Sequence, residues 1–258
     1  MYKKLSIATR FYGLSKGDTR RLVAWVDAAL LVVPPENIFI AVHSDADLSG
    51  SLEFLHKKYP MLNGFGVVPW GKVVQAPNAL LIKSAEKQIE HIMYLSTEYP
   101  VTESIISLLM SHFDNQTLVV GASLLGHDFK ALPGSDVIVS NANGLQIPWN
   151  TCAIWSVERL VHTGFVLAAD ALRDPDNAGM EEMGTIVAQQ ILWPGKALAK
   201  LILPRKGDLV FNTYGWSVKR RDRYIKNLTS KNARSEDQLK RLSLPTPLVL
   251  HMGSAREI

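Results

Sequence analysis

His91-Ile-Met-Tyr-Leu-Ser-Thr-Glu-Tyr-Pro100 is the stretch around which this chain is organised. The apolar run 92–95 is typical of a short buried strand, and the polar residues 96–98 interrupt it. A turn is expected at Tyr99-Pro100, because the residue before a proline avoids the helical region. In a parallel sheet, a polar group at the carboxyl end of a central strand faces the ligand crevice. We therefore expect Glu98 at the functional site; the alternative is a solvated turn residue.

Strand and helix patterns alternate along the chain. This alternation predicts an α/β fold with a mostly parallel sheet, joined by crossover helices. Apolar runs predict strands at 5–11, 37–42, 64–68, 92–95, 117–121, 151–155, 209–211 and 247–253. Amphipathic stretches predict helices at roughly 19–33, 49–58, 78–88, 102–113, 157–163, 180–191 and 217–241.

The composition is that of an ordinary globular protein. The chain has 258 residues, of which 47% are hydrophobic and 20% charged. Its single cysteine, Cys152, excludes an internal disulfide and indicates a reducing compartment, so we expect a cytoplasmic location. The apolar runs are too short for a signal peptide or a membrane span.

Charge is unevenly distributed along the chain. The segment 196–258 holds 14 basic and 5 acidic residues, whereas 1–195 holds 14 basic and 19 acidic residues. We expect a domain over 1–203 and a basic helical C-terminal extension over 204–258 that packs on it. Its cations could meet phosphates or an anionic membrane surface, or form a solvated helix face. Nucleic acid is not expected, because few aromatic residues lie between the basic ones.

Three acidic groups fall at comparable corners of the predicted fold. Asp45 and Asp47 follow the second strand, Glu98 follows the fourth, and Glu181-Glu182 opens a late helix. Carboxylates at these places can accept hydrogen bonds from a nucleoside, hold a divalent metal, and act as a general base, respectively. Helix capping and complementing the helix dipole are the alternatives for the aspartates and for the glutamate pair.

Several other classes of site lack their sequence motifs. The chain contains no G-x-G-x-x-G, no zinc-type cluster of Cys and His, and no G-x-S-x-G elbow. The phosphate-binding motif G-x-x-x-x-G-K-[ST] is incomplete, because Val73 follows Gly71-Lys72. Cys152 lies inside an apolar run, so we interpret it as a core residue and not as a nucleophile.

The order of the corners resembles that of the family 2-like GT-A glycosyltransferases, which transfer sugars from nucleotide diphosphates. The resemblance covers roughly residues 4–195. It rests on the acidic corner His43-Ser-Asp-Ala-Asp47, a helix that begins near Asn78, the block 150–165, and Gly179-Met-Glu-Glu182. It implies a GT-A (Rossmann-like) fold and inverting transfer to an acceptor hydroxyl, with Glu182 as the general base and Glu181 beside it.

The resemblance also implies which residues bind the donor. Glu98 and, more weakly, His251 would hold a divalent metal, Mn²⁺ or Mg²⁺. The residues implied to contact the donor nucleotide are Asp45, Asp47, Asn78, Ser96 and Thr97.

The sequence departs from the family at the metal motif. Ser96-Thr97-Glu98 stands where the family has D-x-D, so only the last carboxylate is kept. Three readings stay open: a metal held by Glu98 with further ligands, transfer without metal in which Lys and Arg of 205–223 carry the phosphate charge, or loss of catalysis. A non-catalytic nucleotide-sugar or glycan-binding protein is the alternative function. A nucleotidyltransferase is disfavoured, because 10–17 is a poor version of the glycine-rich loop of that class.

Overall fold

The computed structural model describes residues 2–12, 16–43, 49–172, 174–214 and 216–253. Within these ranges nine strands form one sheet, in the order β3-β2-β1-β4-β7-β5-β8-β9-β6. The strands are β1 (Leu5–Phe11), β2 (Ile38–His43), β3 (Asn63–Val67), β4 (His91–Leu95), β5 (Thr117–Ala122), β6 (Asp136–Val139), β7 (Cys152–Ser156), β8 (Leu198–Ile202) and β9 (Val249–Met252).

Eight α-helices accompany the sheet in the described part of the chain. They are α1 (Lys16–Ala29), α2 (Ser49–Lys58), α3 (Gln75–Glu86), α4 (Glu103–Met110), α5 (Val157–Leu160), α6 (Glu181–Leu192), α7 (Val218–Thr229) and α8 (Lys231–Leu242). Helix α3 packs on β1 and β2, and α4 packs on β5 and β7.

Most strands run in one direction. Strands β1 to β4 are mutually parallel, and β5, β8 and β9 share their direction. Strands β7 and β6 run against their neighbours. Strands β2 and β5 are buried along their whole length, which explains their continuous apolar sequences. The predicted fold class, a mostly parallel α/β sheet flanked by helices, is confirmed.

The sheet contains two strands, β8 and β6, that the sequence patterns did not predict. The predicted strand over 209–211 is irregular backbone, and the sheet instead uses β8. The apolar pattern of β8 is interrupted by Lys200, whose buried ammonium donates to Asp114 Oδ2 at 2.7 Å and to the carbonyl of His112 at 2.8 Å. Strand β6, for which no element was predicted, lies at the edge of the sheet.

The C-terminal segment covers one end of the sheet and then joins it. The predicted helix over 217–241 is two helices, α7 and α8, that meet at Ser230. Helix α8 packs on α6, and β9 lies between β8 and β6. Helix α8 and strand β9 of the predicted extension therefore pack directly on the rest of the fold. No helix in the described ranges is long and apolar enough to cross a bilayer.

Candidate active site

An aromatic cluster lies at the carboxyl ends of the first three strands. Tyr12 follows β1, His43 ends β2, and Trp70 follows β3. The Tyr12 and His43 rings stack with centroids 4.6 Å apart, and Trp70 meets His43 edge-on at 5.2 Å. Tyr12 keeps 46% of its surface exposed, so it offers a ring on which a planar base can stack. Asp45 and Asp47, which come just after β2, lie outside the described residues.

Glu98 lies in a network of opposite charges, which we call the Glu98 corner: Asp18, Arg21, Glu98 and Arg220. Arg220 of α7 donates through Nη2 to Glu98 Oε1 at 2.6 Å and through Nη1 to Asp18. Arg21 also donates to Asp18. The second Glu98 oxygen accepts a hydrogen bond from the hydroxyl of Ser96. Glu98 is thus a buried, paired carboxylate and not a solvated turn residue.

The Glu98 corner does not fit a divalent metal as its resident ion. Both carboxylate oxygens of Glu98 already accept hydrogen bonds, one of them from a guanidinium. Among the described residues there is no group of three or more His, Cys, Asp or Glu side chains that could hold a metal. Thr97, predicted on the donor side, lies half-buried between Ser96 and Glu98.

The structure does not bring His251 to Glu98. Strands β7, β5 and β8 separate its strand, β9, from β4. Its Nδ1 accepts the backbone N–H of Lys130 at 3.0 Å, so Nε2 carries the proton and donates to the carbonyl of Gln146 at 2.8 Å. Burial lowers the pKa of this imidazole. His251 is a neutral, hydrogen-bonded core residue, and the predicted pairing of His251 with Glu98 on one ion is not formed.

Glu181 and Glu182 open α6, where Asn150 holds both carboxylates. The backbone N–H of Asn150 donates to Glu182 Oε1 at 2.6 Å, and its side-chain amide donates to Glu181 Oε1 at 3.1 Å. The amide oxygen of Asn150 in turn accepts the indole N–H of Trp155 at 2.9 Å. Both glutamates are buried. We call Glu181, Glu182, Asn150, Lys231 and Arg234 the glutamate corner.

The charges of the glutamate corner perturb one another. Burial, together with the charge of Glu181, raises the pKa of Glu182 to about 7, and the charge of Lys231 opposes this shift. Burial lowers the pKa of Lys231 to about 8. The Lys231 ammonium lies 3.8 Å from the centre of the Trp149 ring. Glu182 is therefore a carboxylate that gains and loses its proton near neutral pH.

The two corners are neighbours at the same end of the sheet. The backbone N–H of Ser96, just after β4, donates to the carbonyl of Thr151 at 2.9 Å. The residue before Thr151 is Asn150, which binds both glutamates. Because β7 is antiparallel to β4, its start meets the end of β4, and this register places the segment that carries Glu98 beside the segment that holds Glu182.

The side-chain amide of Asn78, predicted to contact the nucleotide, is hydrogen-bonded to the backbone of Phe165. Its Oδ1 accepts the backbone N–H of Phe165 at 2.8 Å, and its Nδ2 donates to the carbonyl of Phe165 at 2.9 Å. Gly164 has a φ of 58° and would place a Cβ 3.0 Å from Asn78 Oδ1, so glycine suits this turn. The amide of Asn78 thus fixes the turn at 164–165 to α3.

Several residues of the site were not singled out by sequence reasoning. Arg220 lies within 205–223, the range searched for charge to meet phosphates, but one cation among several carried no distinguishing pattern. Lys231 was visible only as part of the basic excess. Asn150 lies in the block that carries the family resemblance, yet its contacts depend on the antiparallel register of β7.

Comparisons with known proteins identify the fold of the chain but no sequence family. No family model and no curated protein matches the sequence. A mannosyltransferase from Pyrobaculum calidifontis, solved in complex with GDP-Man and Mn²⁺, matches 93% of this chain with a TM-score of 0.57 at 12% identity. The chain has the GT-A fold. At this identity the likeness concerns the fold alone.

The chain is shorter than that neighbour, and it also matches other transferases less closely. It covers 65% of the mannosyltransferase, which is less than two thirds of its length. The segment 1–349 of S. aureus TarS matches 93% of this chain with a TM-score of 0.48 at 10% identity, and 72% of that segment is covered. A cytidylyltransferase from Leptospira borgpetersenii matches 94% with a TM-score of 0.47 at 13% identity, and 96% of it is covered.

Proposed function

We propose that the chain is a glycosyltransferase, which moves a sugar from a nucleotide-diphosphate donor to an acceptor hydroxyl. The observation that carries the proposal is the position of Glu182. It is a buried carboxylate whose pKa is raised to about 7. The segment that holds it is hydrogen-bonded to the end of β4, since the backbone N–H of Ser96 donates to the carbonyl of Thr151. Both corners lie at the carboxyl end of β4, where open α/β sheets bind ligands.

The donor nucleotide would lie across the ends of β1, β2 and β4. The exposed ring of Tyr12 offers a stacking surface for the base. Asp45 and Asp47, next along the chain from β2, would accept hydrogen bonds from the nucleoside. Ser96 and Thr97 would lie on the diphosphate side. Asn78 would act indirectly, by fixing the turn at Phe165.

The transfer itself is a single displacement that inverts the configuration at the anomeric carbon. The acceptor oxygen forms a bond to the anomeric carbon, while the bond from that carbon to the diphosphate oxygen breaks and its electron pair leaves with the diphosphate. The proton of the acceptor hydroxyl passes to Glu182. A base whose pKa lies near the working pH is deprotonated in a large fraction of the molecules and still binds the transferred proton strongly. Glu181 contributes by raising the pKa of Glu182.

A metal cofactor has no place in this mechanism. The Mn²⁺ of the mannosyltransferase belongs to that protein. Here Glu98 is paired with Arg220, and His251 is hydrogen-bonded elsewhere. We therefore assign no catalytic step to a divalent ion.

The outer face of α7 supports contact with an anionic membrane. Lys219, Arg223 and Lys226 follow the spacing of one helix face, and all three are exposed. Val218 and Ile225 lie beside them with 74% and 57% of their surface exposed. Exposed apolar residues flanked by basic ones are typical of helices that lie at a bilayer surface. We propose a cytoplasmic enzyme that meets its acceptor at such a surface.

One observation favours the alternative function, a non-catalytic nucleotide-sugar or glycan-binding protein. Glu98, the remaining carboxylate of the metal motif, is neutralised by Arg220. This alternative predicts nucleotide binding without turnover, both in the native chain and in the Glu182→Gln variant.

Thermal unfolding with UDP, GDP, CDP and dTDP, followed by a transfer assay with the sugar donors of the nucleotide that binds, tests the proposal. A ligand at a hundred times its Kd should stabilise the fold by about 2.7 kcal/mol. We expect one nucleotide to raise Tm and its sugar donor to be turned over. If none of the four nucleotides changes Tm, the proposed function is wrong.

A further inference from the structure

We propose that Arg220 takes the place of a metal ion, so that its guanidinium, and not a divalent cation, receives the diphosphate of the donor. The inference rests on the proposed function, because it concerns how the same donor is bound. It commits the chain to one of the three readings left open by the degenerate motif at 96–98.

Arg220 stands where a cation bound to Glu98 would stand. One of its terminal nitrogens is 2.6 Å from Glu98 Oε1, and the other donates to Asp18. A cation that bridges two carboxylates at the end of a central strand is what a metal would provide there. The guanidinium already supplies that charge, and two hydrogen bonds fix its position.

The arginine is also the member of the corner that a ligand can reach. The side chain of Arg220 is 35% exposed, whereas those of Asp18 and Glu98 are 8% and 10% exposed. An incoming anion would therefore meet the cation before it meets the carboxylates. The planar guanidinium presents several N–H groups in a fork that matches phosphate oxygens, which a lysine cannot reproduce.

The groups around Arg220 orient its guanidinium and offer further hydrogen-bond donors to an anion. Its guanidinium carbon lies 4.8 Å from the centre of the Trp216 ring, which steadies its plane. The indole N–H of Trp216 and the Nε–H of Arg21 are buried and have no hydrogen-bond partner among the described residues. Unused buried donors beside a cation fit a ligand that brings acceptor oxygens.

The charge of the corner makes the two modes of binding distinguishable. With two arginines and two carboxylates the Glu98 corner is neutral. A metal site needs Glu98 as its anionic ligand, so Glu98→Gln would weaken nucleotide binding. An arginine site has Glu98 as a competitor of the diphosphate for Arg220, so Glu98→Gln would tighten the same binding. The sign of this single effect separates a metal from an arginine.

The experiment measures by calorimetry the Kd of the nucleoside diphosphate that stabilises the protein, with EDTA and with Mn²⁺. For the native chain we expect the same Kd in both. Arg220→Gln should weaken binding by about tenfold or more, since a charge-assisted hydrogen bond to phosphate is lost. Arg221→Gln, the same change at the exposed neighbouring arginine of α7, should leave Kd unchanged. Glu98→Gln should lower Kd.

Three results would overturn the inference. Binding that EDTA abolishes and Glu98→Gln weakens would assign the diphosphate to a metal, while leaving the proposed function intact. Equal effects of Arg220→Gln and Arg221→Gln would reduce Arg220 to general surface charge. If no nucleotide binds the native chain, the proposed function and this inference are both wrong. Arg220→Lys, which keeps the charge and loses the fork, gives the same test if the glutamine variant does not fold; we expect it also to bind more weakly.

Discussion

The carboxylates of the two neighbouring corners are held in different ways. In the Glu98 corner, Arg220 and Arg21 donate directly to Glu98 and Asp18, so each carboxylate meets a guanidinium. In the glutamate corner, the carboxylates of Glu181 and Glu182 accept from the amides of Asn150, which carry no charge.

This difference separates a corner in which each carboxylate is paired directly with a guanidinium from a corner that can exchange a proton. Direct pairing with arginine neutralises a buried carboxylate and orients it. A neutral amide orients a carboxylate without neutralising it, so burial and the neighbouring Glu181 can raise the pKa of Glu182 to about 7. We infer that the first corner binds charge and that the second moves protons.

The replacement Glu182→Gln tests the proton-moving corner and has the largest expected effect. It keeps the shape of the side chain and removes the proton acceptor. We expect kcat to fall by about 10²–10⁴-fold, the usual contribution of a general base. Nucleotide Kd should not change, because the Glu98 corner is untouched. Steady-state kinetics and calorimetry on the same preparation measure the two quantities.

Glu103→Gln is the matched control for that experiment. Glu103 is an exposed acid in the first turn of α4, so its replacement should leave kcat unchanged. Full turnover by Glu182→Gln would make the glutamate corner purely structural, and the contrast between the corners would disappear.

Asn150→Ala tests whether a neutral amide holds the glutamate corner. The change removes the partner of Glu181 and that of the indole N–H of Trp155, a fully buried residue. An unsatisfied buried polar group costs about 1–3 kcal/mol, so we expect a loss of about that size in the free energy of unfolding. Urea unfolding measures it.

Asn141→Ala provides the comparison. Its side chain accepts one exposed hydrogen bond, from Thr246, and its loss should change the free energy of unfolding by less than about 0.5 kcal/mol. If the two variants were equally stable, Asn150 would not organise the corner.

Local patterns predicted the elements of the fold and the places of the acids. Strand β1 and helix α2 have the predicted bounds, because apolar runs and amphipathic spacing are properties of neighbouring residues. Glu98 follows β4 and Glu182 opens α6, as the sequence indicated. The signal failed where a charge lies inside a strand: Lys200 interrupts β8, and only its pairing with Asp114 makes it compatible with burial.

The partners of the acids could not be predicted in the same way. Arg220 and Glu98 are 122 positions apart in the chain, and their contact depends on how α7 lies over the end of β4. Many cations of the C-terminal segment were equivalent as sequence. Only packing distinguishes Arg220, which points at two carboxylates, from its exposed neighbour Arg221.

The pH dependence of turnover sharpens the assignment of Glu182. The base acts only when it is deprotonated, so kcat should rise as pH increases through about 7. The positive charge of Lys231 stabilises the carboxylate and lowers this pKa. Lys231→Met removes that charge, so the midpoint of the profile should move to higher pH. A displacement of up to about one pH unit corresponds to about 1.4 kcal/mol.

Lys240→Met controls for the loss of one positive charge on the same helix. Lys240 is exposed in the last turn of α8, and its replacement should leave the midpoint unchanged. A midpoint that stayed in place or moved to lower pH in Lys231→Met would show that another group titrates.

The smallest expected effect concerns the two faces of α7, of which only the inner one belongs to the Glu98 corner. Arg223→Gln changes the outer face and should weaken binding to vesicles that contain phosphatidylglycerol by about fivefold, since one basic residue near an anionic surface contributes about 1 kcal/mol. Lys57→Gln, an exposed change on α2, is the control. Co-sedimentation with and without the anionic lipid measures the binding. Nucleotide affinity should respond to Arg220→Gln and not to Arg223→Gln, because Arg220 donates to Glu98 and Asp18 whereas the side chain of Arg223 is exposed. Equal binding to neutral vesicles, or displacement by RNA but not by anionic lipid, would contradict the membrane assignment while leaving the Glu98 corner as described.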